Sequence, residues 1–424
     1  MWWENKGHLT IKDNELIIGE LKATEIAKEF DTPIYVYNKQ RILDNFNTLK
    51  NAFEKHTNNF RIHYAMKANS NLTILKMLSE QGAYIDAVSP LEAKIAIRAG
   101  FTNDHVMFTG TSVSDEDLKQ LLDMDVFLNI DSISQLKRLR KLTDKKLNIS
   151  IRWNPGEGAG HHANTITAGK YIKFGIPEHK INEAIEEIKT AGFNLVGLHQ
   201  HIGSGWLEDD VPIFLESVDK TITTAKNIEN KLGKKLKFID FGGGPGIPYN
   251  ENENPFPVET YATGICQKIK ESNMDVQIAI EPGRFIVGDA GILLTEINTV
   301  EEKNIPVIGI NAGFNTLARP AMYGSHHEIV IADNVESKNK KEYMVAGNLC
   351  ESGDVFTKNK KTLRLLPTPK EKNIIAILNA GAYGFSMAST YNSRPLPKEI
   401  LIDKNNTQII RRQQTIEDLL REQE

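Results

Sequence analysis

Between about residue 60 and residue 285 the chain repeats one rhythm: a short apolar run, a loop carrying Gly, Asn, Asp or Ser, then a stretch in which apolar residues recur every three or four positions. The apolar runs are Arg61–Ala65, Tyr84–Val88, Val106–Thr109, Val126–Ile130, Leu147–Arg152, Leu195–His199, Phe238–Phe241 and Gln277–Ile280. Runs of that length bounded by turn residues read as buried strands, and the longer periodicity between them, as in Leu72–Gln81 and Ser89–Ala99, reads as helix. Alternating strands and helices predict a parallel sheet, because parallel neighbours need a crossover. Eight such units in roughly 225 residues fit a closed (β/α)8 barrel of the TIM type better than an open doubly wound sheet.

Outside that stretch the pattern changes. Residues 8–37 and 287–410 carry short β-rich runs such as Ile292–Val300, Tyr343–Ala346 and Ile374–Leu378, separated by polar turns. They predict a second, mostly β-stranded domain formed from both chain ends, residues 1–32 plus 287–424, around a barrel at 33–286. The lysine-rich patches Lys338–Lys341 and Lys358–Lys361 read as exposed hairpin tips, and Thr415–Glu424 as a short solvated helix.

Composition narrows the class. With 424 residues, 40% hydrophobic and 25% charged, the chain has enough apolar material for large cores and is too balanced in charge for a disordered polymer. The 51 Lys and Arg against 55 Asp and Glu leave a net charge of −4, so no chain-wide attraction to nucleic acid or anionic lipid is expected. The two cysteines, Cys266 and Cys350, form no paired framework, which favours a reducing compartment. The opening MWWENKGHLT lacks a basic-then-apolar leader pattern, and no apolar run reaches the ~18 residues of a membrane span. A cytoplasmic location is expected.

In a parallel barrel the reactive groups collect where strands end and loops begin. Met66-Lys67-Ala68-Asn69 follows the first run, Gln200-His201-Ile202-Gly203-Ser204 the sixth, Gly242–Gly246 the seventh and Glu281-Pro282-Gly283-Arg284 the eighth. Lys67 sits among small and apolar neighbours, where a lysine either snorkels to the rim or is desolvated and forms a Schiff base with a carbonyl cofactor. The glycine run can bring backbone N–H groups against an anion, although tight packing alone also selects glycine there. Glu281 can hold a pyridinium N–H, and Arg284 can face a carboxylate or phosphate; an ion pair between the two is the plainer alternative. His201 is open to three roles: base, metal ligand, or flat ring stacked on a cofactor. The doublets His161-His162 and His326-His327 lack ligand spacing, and no metal is expected. A lysine, an anion cradle, a carboxylate and a stacking ring together describe a pyridoxal 5'-phosphate site.

The segments His63–Asn71 (HYAMKANSN), His199–Ser204 (HQHIGS), Phe241–Gly246 (FGGGPG), Glu281–Arg284 (EPGR), Cys350–Asp354 (CESGD) and Gly381–Pro397 (GAYGFSMASTYNSRPLP) resemble, in that order, the motifs of the fold-type III pyridoxal-phosphate decarboxylases. Within them the chain most resembles the branch acting on diaminopimelate, over about Thr32 to Pro397. The resemblance implies that Lys67 binds the cofactor covalently, that His201 stacks on its ring, and that Glu281 holds its protonated nitrogen. It implies Ser204, Gly243, Gly244 and Tyr383 around the phosphate, and Arg284, Arg319 and Tyr323 on the substrate's distal carboxylate. Cys350 resembles the residue that returns the proton, and Glu351 the one that recognises the distal amino group. In this family the CESGD loop enters the partner's barrel, so a homodimer with shared sites is implied.

Two stretches depart from the commonest pattern. Asn154–Gly175 carries Gly-Ala-Gly-His-His in place of an acidic and Thr-His-Pro stretch, and Asn379-Ala380 stands where an acid often precedes GAY. The second should change local hydrogen bonding and not the reaction. The competing readings are a sister decarboxylase of ornithine, arginine or carboxynorspermidine, which would have no distal carboxylate for Arg319, and an amino-acid racemase or non-catalytic cofactor carrier.

Overall fold

In the computed structural model, the described residues are 1–4, 7–156, 168–169, 171–357 and 362–423. The His161-His162 doublet, the middle of the Asn154–Gly175 stretch and the Lys358–Lys361 patch lie outside them. The chain divides into two compact units, one of residues 45–247 and 254–285, the other of residues 1–44, 248–253 and 286–424.

The first unit is the barrel. Its parallel strands are Phe60–Ala65, Tyr84–Ala87, Val106–Phe108, Phe127–Ile130, Asn148–Asn154, Asn194–His199, Phe238–Asp240 and Gln277–Ile280. Each pairs with the next, and the last returns to the first through Ile278↔Phe60, Ala279↔Arg61 and Ile280↔Ile62, which closes the sheet. All eight coincide with the apolar runs to within about two residues, as expected for edges of elements called by periodicity. The fifth runs furthest past its apolar run, to Asn154, and a two-residue strand, Ile176–Pro177, pairs beside that end.

Four of the helices between the strands start where a polar side chain takes up a free N–H. Asn71 accepts from Thr73, Ser89 from Glu92 and Ser132 from Gln135, and Ser114 forms a reciprocal capping box with Asp117. Two helices, Ile181–Ala191 and Val211–Leu232, stop at Gly192 and Gly233, which take left-handed backbone angles. There the glycine turns the chain out of the helix toward the next strand.

The second unit is a mixed β-sheet organised on one long strand, Gly291–Glu302. That strand pairs antiparallel with Pro306–Ile310, Ile374–Ile377 and Ile34–Asn38. Ile34–Asn38 in turn lies parallel to Lys398–Asp403, so both chain ends enter one sheet. Ile292, Leu294, Ala376, Leu378, Ile400 and Ile402 form its core with Ile26 and Phe30 of the helix Ala23–Phe30. Lys340 and Lys341 open the strand Lys340–Ala346 and pair with Pro367 and Leu366, so they are strand residues and not a hairpin tip. The tail forms the short helix Ile416–Leu420, capped by Thr415. No helix among the described residues is long and apolar enough to cross a membrane.

Candidate active site

In the barrel unit, Lys67 lies in the 3-10 turn Met66–Ala68 directly after the first strand, between two buried neighbours. Its Nζ donates to Oδ2 of Asp86, on the second strand, at 2.7 Å. Asp86 is fully buried. Burial, and then the charge of Glu281, push its carboxyl above the ordinary range, while Lys67 pulls it down. The lysine is thus held by a buried carboxyl whose ionisation depends on the lysine's own charge.

Glu281, just past the eighth strand, is 4% exposed. Its Oε2 accepts from Nε2 of His199 at 3.1 Å, and its Oε1 has no partner in the protein. Burial opposes ionisation, but His199, by its charge and hydrogen bond, and then Lys67 hold this carboxyl well below its usual value. An ionised, buried carboxylate oxygen without a donor is what a protonated heterocyclic nitrogen needs. Its hydrogen-bond partner is His199, so the ion pair with Arg284 is not the arrangement found.

His201 is kept neutral by burial first and by Arg152 and Lys67 beside it. Its Nδ1 accepts from the N–H of Gly243 at 3.1 Å, which leaves the ring proton on Nε2 and fixes the plane of the ring. Arg284 is buried, and its Nη2 reaches Oγ of Ser204 at 3.4 Å.

The glycine run serves packing and approach together. A Cβ on Gly242 would stand 2.3 Å from the Gln200 carbonyl, and one on Gly243 would stand 2.4 Å from the Glu281 carbonyl. The loops after strands six, seven and eight can meet only because neither residue has a side chain. The N–H of Gly242 goes to Asp240 and that of Gly243 to His201.

In the β unit, Arg319 begins the short helix Arg319–Tyr323 and is 1% exposed. His327 donates from Nδ1 to the Leu378 carbonyl at 2.8 Å, so its Nε2 is the acceptor for Nη1 of Arg319 at 3.0 Å. The Tyr249 ring lies 4.7 Å from the guanidinium carbon. Tyr323 is half-buried at the end of the same helix.

The CESGD loop is anchored by Asp354, whose carboxylate accepts from the N–H groups of Phe314 and Leu349 at 2.7 and 2.9 Å. Cys350 and Glu351 remain exposed on it. Tyr383 takes a left-handed φ of 57° beside Gly381, where a Cβ would stand 1.9 Å from the Val287 carbonyl. Asn379 donates from Nδ2 to the Pro248 carbonyl at 2.9 Å, a bond that an ionised acid at this position could not make.

The barrel unit therefore gathers Lys67, His201, Ser204, Gly243, Gly244, Glu281 and Arg284 at the C-terminal ends of its strands. The β unit holds Arg319, Tyr323, Cys350, Glu351 and Tyr383. Asp86, His199, Asp240 and His327 had not been singled out. The ligand-type atoms of His199, Asp240 and Glu281 lie within 4.8 Å of one another. Burial first, and then the charge of Glu281, push the Asp240 carboxyl well above the usual carboxylate range. The signal for these residues was present as polar letters inside apolar runs, Tyr-Ile-Asp-Ala above all.

A lysine held by a buried carboxyl, a buried carboxylate with one oxygen left open, a neutral flat ring and a side-chain-free loop fit a phosphorylated pyridine aldehyde. Residues 39–288 match the family described as pyridoxal-dependent decarboxylase, pyridoxal binding domain. The diaminopimelate decarboxylase of Methanothermobacter thermautotrophicus is 43% identical over 99% of this chain and 96% of its own. Among solved structures, diaminopimelate decarboxylase from Helicobacter pylori complexed with L-lysine is 35% identical, with a TM-score of 0.86 over 94% of this chain and 98% of that one. The M. jannaschii enzyme in co-complex with L-lysine is 31% identical, with a TM-score of 0.89 over 98% and 97%.

Proposed function

Since the chain belongs to the pyridoxal-dependent decarboxylases, and within them to the diaminopimelate decarboxylase family, we propose that it removes one carboxyl group from meso-2,6-diaminopimelate, leaving L-lysine and CO2 in lysine biosynthesis. The observation that carries this reading is Glu281, whose ionised Oε1 is buried and unpaired in the same barrel mouth as Lys67. Bound pyridoxal phosphate supplies the electron sink into which the bonding pair of the departing carboxylate can flow.

The protein's tasks follow from its own side chains. Lys67 would hold the cofactor's aldehyde carbon, with Asp86 at 2.7 Å ready to share the amine's proton. Glu281, kept charged by His199, would hold a proton on the pyridine nitrogen, and a neutral His201 would lie against the ring face. Ser204, Gly243, Gly244 and Tyr383 would surround the phosphate. Arg284, Arg319 and Tyr323 would orient the substrate by its distal carboxylate, and Glu351 would hold the distal ammonium. Cys350 would return a proton to the carbon that lost CO2.

Arg319 carries the substrate claim. A buried guanidinium without an anion costs about 3–5 kcal/mol, so substrates lacking the second carboxylate are disfavoured. The exposure of Cys350 and Glu351 supports a homodimer in which the CESGD loop completes a partner's site. Two free thiols, Cys266 and Cys350, support work in the cytoplasm.

The direct test is CO2 release from diaminopimelate, ornithine, lysine, arginine and carboxynorspermidine by the cofactor-loaded protein. Diaminopimelate should be preferred by at least tenfold in kcat/KM. Faster release from a substrate with no distal carboxylate would replace this reading with that of the sister decarboxylases.

A further inference from the structure

Barrel strands turn alternate residues inward, and the interior of a (β/α)8 barrel is ordinarily filled by those side chains, its N-terminal face serving stability. The N-terminal end of this barrel departs from that rule. A cavity of about 510 Å3 opens there among Arg61 and His63 of the first strand, Met107 of the third, Phe127 of the fourth, Phe238 of the seventh and Ala279 of the eighth. It lies at the opposite end of strands one and eight from Lys67 and Glu281, and its volume is in the range of small-molecule sites, about 300–1,000 Å3.

Three features describe what it would accept. The walls are aromatic: the Phe127 and Phe238 rings stand edge to face with centroids 5.5 Å apart, both only half-buried, at the starts of their strands. The rim is cationic, with Arg61, Lys145, Lys146 and Lys237 against Asp104 and Asp125, four positive charges to two negative. One oxygen of Asp104 is already taken by the Thr102 hydroxyl. At the inner end is His63, 5% exposed, stacked on Tyr84 at 5.4 Å, and neither of its ring nitrogens has a partner in the protein. A neutral imidazole offers one donor and one acceptor, and a buried polar side chain normally uses both.

We propose that this cavity is a second ligand site of the protein, for a small organic carboxylate with an aromatic body and a distal hydroxyl. The carboxylate faces the Lys145, Lys146 and Lys237 rim, the ring packs against the Phe127–Phe238 pair, and the hydroxyl reaches His63. The site is independent of the reaction at the barrel mouth.

The test uses the cofactor-loaded protein and three probes: 3-(4-hydroxyphenyl)propionate, 3-phenylpropionate and 3-(4-hydroxyphenyl)propylamine. Titration calorimetry should show one saturable site per chain for the first, with the other two at least tenfold weaker. With 13C-methyl methionine labelling, the Met107 signal should move on binding, while that of Met66, beside Lys67, should not. The double variant Lys145→Glu with Lys146→Glu, and separately Lys237→Glu, should each weaken the first probe at least tenfold while turnover at the barrel mouth is unchanged. The proposal is overturned by absence of saturable binding, by equal affinity for the amine, or by a shift at Met66 in place of Met107. Charge-reversed variants that bind the first probe as well as the parent does would overturn it too.

Discussion

Replacing His327 with leucine should reveal how the guanidinium proposed to grip the substrate is held in place. His327 does two things in the β unit: Nε2 accepts from Arg319, and Nδ1 donates to the Leu378 carbonyl. Leucine fills a similar volume and does neither. The charged hydrogen bond is worth about 1.5–3 kcal/mol, and an unpaired buried carbonyl costs a further 1–3 or so. A loss of about 2.5–6 kcal/mol is expected, and for a domain of this size each kcal/mol lowers the melting temperature by about 2–4 °C. Stability alone would not separate positioning from simple packing, so the informative readout is kinetic. With this acceptor gone, the guanidinium loses a bond that sets its angle to the substrate, while the Tyr249 ring stays 4.7 Å from its carbon. KM for diaminopimelate should rise about tenfold with kcat within a factor of two, the pattern of lost binding that is equal in ground and transition states. His327→Gln, which can place an amide oxygen near the Nε2 position, should recover a good part of the KM. A folded His327→Leu protein with unchanged KM, or a Gln variant no better than Leu, would refute the positioning role.

Lys67→Ala should abolish the visible absorbance of the cofactor-loaded protein and its trapping by borohydride at this position; colour that survives would show that another amine holds the aldehyde. Glu281→Gln should leave cofactor bound while kcat falls about 10²–10³-fold, because a neutral amide no longer favours a protonated ring nitrogen, and an unchanged rate would remove Glu281 from the mechanism. Burial first, opposed by Glu281 and assisted by Arg61, holds His63 down at about 3. Its unfolded form takes up a proton near pH 6.5 and its folded form does not, so stability is lost as pH falls from there toward 3, by about 1.4 kcal/mol per pH unit. His63→Leu should flatten that slope in denaturant titrations between pH 6 and 4, and an equal slope in both proteins would contradict the assignment.

What could be read from the chain and what could not divide along one physical line. Each barrel strand was legible because a short apolar run flanked by turn residues is a local pattern, and Lys67 and Glu281 were legible because a charged residue at the end of such a run conflicts with its surroundings. Asp86 carries the same chemistry and was passed over, since a polar letter inside Tyr-Ile-Asp-Ala reads as the wet face of an alternating strand. Only closure of the barrel turns that face into an interior, and then Asp86 meets Lys67 from 19 residues away and His199 meets Glu281 from 82. The interior even pairs polar residues with each other, Ser150 with Asn129 at 2.8 Å, which no hydrophobicity pattern would place in a core. His327 is the clearest case. Its neighbour His326 makes the two look like a surface doublet, yet one ring is fully buried because it joins Arg319, eight residues before it, to Leu378, 51 residues after. The groups that react announce themselves locally. The groups that set their charge and direction are chosen by contacts distant in sequence, which is why substituting them should separate binding from turnover where substituting Lys67 would abolish both.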